Sequence, residues 1–164
     1  MYVATIVVVD ATRARLFTFE REASPTGLRE SFVEVHDLVN PARRLRPSEL
    51  FSDSRPGSSR TGGLRYTFDD HRDAHVARMD HEFARAVVAE IERVIKASGS
   101  TRVILCATPN MLGDLRKALG TLHERAMITT LARDLVRSSV AELRERLATY
   151  RALPLPPERS VELR

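Results

Sequence analysis

Six arginines, Arg43, Arg44, Arg46, Arg55, Arg60 and Arg65, stand in the stretch 41–65 against two acids, Glu49 and Asp53. Their excess of four positive charges equals the formal net charge of the whole chain, +4, so the remainder is close to neutral. A guanidinium presents a planar fork of N–H donors that can hold two phosphate oxygens at once or lie flat on an unpaired base. A proline- and glycine-punctuated loop over residues 39–72 that gathers such groups is expected to be mobile and to face a polyanion. Phe51, Tyr66 and Phe68 are the only aromatics in or beside it, too few for dense single-strand readout.

Other residue types capable of chemistry are sparser. Asp10, at the end of the first apolar run, and Asp134, ahead of the last helical pattern, are the carboxylates that a divalent-metal nuclease would need. The same two positions suit a strand-ending turn and a helix cap. No acid follows the second buried run, which ends Cys106-Ala107-Thr108-Pro109. His71 and His75 are four apart and could share a metal on a helix, with His81 and Asp69, Asp70, Asp73 and Asp80 nearby. Lacking a tight third-ligand spacing, that group reads more simply as a solvated, acidic helix start. Ser52, Ser54, Ser58 and Ser59 lie in no nucleophile-elbow pattern. Cys106 sits in an apolar run and, as the lone cysteine, has no internal disulfide partner. No catalytic residue, metal ligand or cofactor is assigned.

The elements that must carry these residues follow from periodicity. With 164 residues and 43% apolar content the chain makes one domain, which buries about two thirds of its unfolded surface. Residues 3–9 form a β-branched run, the pattern of a strand covered on both faces. Alternation over 13–19 and an apolar stretch over 28–35 complete a three-stranded meander, with Ser24-Pro25-Thr26-Gly27 as a turn. Val76, Met79, Phe83, Val87, Ile91 and Val94 mark one stripe of a long helix over 73–97, which Gly99 stops. A buried strand over 102–107 precedes a helix with Thr108 as cap and Pro109 at its first position. A last strand over 126–131 leads to a helix opened by Asp134, with Val136, Val140, Leu143, Leu147 and Tyr150 on its inner face.

The order is β-β-β-α-β-α-β-α, an α/β domain over 1–150 with a mixed five-stranded sheet and a long basic loop before its first helix. Residues 151–164 read as a proline-rich, loosely ordered tail. The apolar N-terminal run is too short to span a membrane and lacks the basic start of a secretory signal, so cytoplasmic residence is expected, with no membrane partner.

The runs Val7-Val8-Val9-Asp10-Ala11-Thr12-Arg13-Ala14-Arg15-Leu16-Phe17, Leu38-Val39-Asn40-Pro41, Ser48-Glu49-Leu50, Ser52-Asp53-Ser54-Arg55-Pro56-Gly57, Phe83-Ala84, Pro109-Asn110-Met111-Leu112-Gly113-Asp114-Leu115-Arg116 and Arg133-Asp134-Leu135 resemble the bacterial host attachment protein family. The resemblance keeps its order over nearly the whole chain. It implies an RNase H-like fold and kinship with the central domain of the archaeal and eukaryotic peptide-chain release factors. In those factors the loop before the long helix carries Gly-Gly-Gln into the ribosome. The matching stretch here is Arg60-Thr61-Gly62-Gly63-Leu64-Arg65, with Leu64 in place of the glutamine. Leucine has no amide to orient a hydrolytic water, so peptide release is not expected. The implied role is that of a ribosome-associated factor of dormancy, rescue or translation, binding rRNA or tRNA through the six arginines with Gly62, Gly63 and Leu64. The family's name implies a role in attachment to host cells, direct or indirect.

Overall fold

In a computed structural model the protein is described over residues 1–44 and 65–157, with the backbone alone for Arg44 and residues 65–70. Arg46, Arg55, Arg60, Gly62, Gly63 and Leu64 lie outside the described residues. Five strands, β1 (Tyr2–Val9), β2 (Arg13–Ser24), β3 (Gly27–Val39), β4 (Arg102–Ala107) and β5 (Met127–Leu131), form one sheet in the order β3-β2-β1-β4-β5. β1 pairs antiparallel with β2, and β2 with β3. β4 runs parallel to both β1 and β5. The meander on one flank and the parallel strands on the other reproduce the arrangement expected of an RNase H-like sheet.

The β-branched run of β1 is buried because helices cover both faces of the sheet. Val7 and Val9 join Phe83, Val87 and Ile91 of α2 (Arg65–Ser98) and Leu112 and Leu115 of α3 (Pro109–Ala118) in one core. Ala4, Ile6 and Val8 join Phe17, Phe19, Leu143 and Leu147 in the other, where α5 (Val140–Thr149) packs. Two short helices, α1 (Pro41–Arg44) and α4 (Leu122–Arg125), complete the described elements. Cys106 is fully buried in the second core, and burial pushes its thiol up to about 12, which leaves it inert at neutral pH.

Four boundaries differ from expectation. β2 and β3 reach Ser24 and begin at Gly27, beyond 13–19 and 28–35, because cross-strand Arg21–Glu30 pairing carries the ladder past the apolar residues. α2 begins at Arg65, eight residues before the expected start, through a stretch with little apolar periodicity. Asp134 does not open the last helix. Ser139 caps it, accepting Glu142 N–H at 3.2 Å, and Ser139-Val140-Ala141-Glu142 is a capping-box pattern present in the sequence. Finally, the chain at 151–155 is anchored. Leu153 is buried, and the carbonyls of Pro154 and Leu155 accept hydrogen bonds from Arg144 and Arg21.

Arginine–carboxylate pairs hold the outer meander. Arg13 binds Asp37, Arg15 binds Glu34 in a two-bond fork, and Glu30 is held by both Arg21 and Arg144. Arg15 Nη1 also donates to the carbonyls of Val136 and Ser138, at 2.8 and 2.7 Å, tying the segment before α5 to the sheet. The hydrogen bonds from Arg15 and Arg13 depress the carboxyls of Glu34 and Asp37. At Glu30 burial pushes the other way, and the bonds from Arg144 and Arg21 outweigh it.

Because all three folded values lie below the unfolded ones, the stability they confer is present above roughly pH 4–4.5 and is lost as pH falls through the folded values. Denaturant unfolding across pH should show a plateau near neutrality and an acid limb, and Glu30→Gln should lower the plateau and flatten the limb. Phe83→Ala and Ile91→Ala should each cost about 2–5 kcal/mol through lost burial and a cavity, whereas alanine at the exposed Arg85 should cost far less.

Candidate nucleic-acid interface

The approach to the arginine-rich segment is fixed by one buried amide. Asn40 is 0% exposed. Its Nδ2 donates to Ala11 O and to Asp80 Oδ1, both at 2.8 Å, and its Oδ1 accepts Ala42 N–H at 3.1 Å. Its backbone N–H donates to Thr12 O at 2.8 Å. A single side chain thus joins the β1–β2 turn, the start of α1 and the middle of α2. Arg43 Nη2 reaches the other oxygen of Asp80 at 3.1 Å, with the Arg43 side chain 41% exposed.

Asp10 builds the turn on which this rests. Its Oδ1 accepts from Thr12 N, Thr12 Oγ1 and Arg13 N at 2.7, 2.7 and 2.8 Å. That is the side-chain-closed turn open to Asp at a strand end. Asp134 Oδ1 accepts Val136 N–H at 3.4 Å in the segment before α5. Among the described residues no group of three or more His, Cys, Asp or Glu side chains is arranged to hold a metal ion. The histidines lie along α2. His75 Nδ1 faces Arg78 at 3.0 Å, and His81 pairs with Asp114 of α3 at 2.9 Å.

α2 runs 34 residues, but its first fully buried side chain among those described is Phe83. From Arg65 to Glu82 the helix therefore extends about 25 Å with none of its described side chains fully buried. Residues 66–82 carry five acids, Asp69, Asp70, Asp73, Asp80 and Glu82, against Arg72 and Arg78. That balance repels phosphate. Of the residues expected to bind RNA, Arg43 alone has a described side chain here. Arg44 ends α1 and Arg65 starts α2. No spacing in the sequence points to the Asn40–Asp80 bond; its only trace is a polar residue at the end of β3.

A family profile described as "protein required for attachment to host cells" matches residues 5–147. The chain belongs to this host attachment family. No curated protein sequence matches it. Among solved structures, RuvC of Thermus thermophilus is similar at 12% identity and a TM-score of 0.36, over 95% of this chain and 84% of that one. So slight a likeness says nothing of what a host attachment protein binds or does. No helix among the described residues is long and apolar enough to cross a membrane.

Asn40→Ala should destabilise the protein by about 1–3 kcal/mol, since it orphans the Ala11 carbonyl and Asp80. Asn40→Asp should cost more, because it turns a carboxylate toward both acceptors. Asp10→Asn, which keeps an acceptor oxygen, should be far milder than Asp10→Ala. Thermal and urea unfolding of the four variants gives the comparison.

Proposed function

We propose that this protein is a non-enzymatic, RNA-facing factor of the cytoplasm that associates with the ribosome through its arginine-rich segment. The observation that carries the reading is the confinement of the chain's whole net charge to the 41–65 stretch, next to a position anchored by Asn40. The ligand is structured RNA, rRNA or tRNA, held through Arg43, Arg44, Arg46, Arg55, Arg60 and Arg65. Phosphate contacts supply affinity, and guanidinium stacking on unpaired bases supplies some selectivity. The Arg43–Asp80 pair leaves part of the Arg43 fork for phosphate. The likeness of Gly62-Gly63-Leu64 to the release-factor tripeptide supports a site near the ribosome's functional centre without peptide release.

The family's description favours a second reading, a part in attachment to host cells. A translation-linked factor whose loss impairs surface assembly satisfies both readings. A direct adhesive role requires the protein outside the cell.

Glutamine at all six arginines should weaken binding to purified ribosomes by orders of magnitude and leave the unfolding midpoint nearly unchanged. For the parent, log affinity should fall steeply with log salt, and each lost phosphate contact should reduce that slope by roughly 0.7–0.9. A substituted protein with the parent's affinity and slope would sink the proposal.

A further inference from the structure

A cleft of about 590 Å3 lies on the α5 side of the sheet. Tyr2, Arg102, Ile104 and Met127 line it from the strands, and Arg151 and Leu153 from the chain that follows α5. Arg144 and Arg21 hold that returning chain by its carbonyls. No acid is found among the described residues that line the cleft. Arg21 and Arg144 nearby are committed to Glu30. Arg102 lies over the Tyr2 ring at 5.1 Å, and neither it nor Arg151 pairs with a carboxylate among the described residues.

The backbone at Arg151 adds an independent observation. Arg151 N–H donates to Ala148 O at 2.9 Å and Ala152 N–H to Leu147 O at 2.8 Å, the bond pair of a Schellman turn. The residue donating the inner bond must be left-handed, and Arg151 has φ 57°, the only described residue other than glycine with positive φ. Glycine would take this position without steric penalty, as it does at Gly99. A guanidinium held there against that penalty, at the mouth of a cleft without acids, marks a binding group.

We propose that this cleft binds a small anionic amphiphile, an aliphatic chain headed by a carboxylate or phosphate. The head group bonds to Arg102 and Arg151, and the chain packs on Ile104, Met127 and Leu153. Apart from Tyr2 the apolar lining is aliphatic, and Met127 adapts to an irregular chain. Met127 and Leu155, 57% and 73% exposed, leave apolar surface at the rim for a longer chain. A concave cleft under a returning segment suits a single chain better than a flat bilayer, so the ligand is a free amphiphile.

Calorimetric titration of the full chain with decanoate, decyl phosphate, decanol and phosphatidylglycerol vesicles provides the test. Decanoate and decyl phosphate should saturate one site, and decanol should bind at least tenfold more weakly. Arg151→Gly should hold or raise the melting temperature, since it relieves the left-handed strain, yet weaken decanoate binding about 10–100-fold. Arg102→Gln should weaken it similarly. Absence of saturable binding, equal affinity for decanol, unchanged affinity in Arg151→Gly, or binding to vesicles alone would each overturn the proposal.

Discussion

Burial of both faces of β1 is the constraint on which the rest of the architecture depends. A strand with five consecutive apolar or β-branched side chains from Thr5 to Val9, all 0% exposed, cannot leave either face to water. It needs partners on both edges, supplied by β2 and β4, and a helical layer on each side. α2 and α3 provide one layer, and α5 with the segments flanking it provides the other. Parallel pairing of β1 with β4 and of β4 with β5 then requires crossovers, which is why helices follow β3 and β4, while α5 after β5 returns to cover the other face.

Where apolar burial thins out, arginine takes over. Arg13 ties β2 to β3, Arg15 ties the meander to the segment before α5, and Arg21 and Arg144 tie it to the chain beyond α5; each is bonded to a carboxylate and three of them also to main-chain carbonyls. These guanidinium groups are spent on structure. The 41–65 stretch, which follows the Asn40 anchor, carries six arginines against two acids in the sequence, and its one described guanidinium, Arg43, pairs with Asp80.

β1 and β4 were legible because their unbroken apolar runs are buried on both faces, whereas β3, with no fully buried residue, extends past its apolar stretch. The inner stripe of α2 from Phe83 onward was equally plain, with Phe83, Val87, Ile91 and Val94 all buried. Its first turns were hidden because the sequence over 65–72 shows no apolar period. The local polar signal at Asp134 resembles a cap only because Val136, two residues on, is buried without being helical. Ser139 carried the fuller pattern with Glu142. Of the candidate site, the charge concentration could be read directly, since it depends on composition alone. The Asn40–Asp80 bond could not, because it joins residues forty apart through a buried amide whose partners no spacing rule supplies.

The most direct measurement is co-sedimentation of the full chain, carrying a small tag, with ribosomes from growing and from stationary cells at physiological salt. Comigration with a ribosomal fraction in at least one of the two states, released by raised salt, is the expected result. A ribosome-free distribution in both would contradict the assignment of the arginine-rich segment to ribosomal RNA.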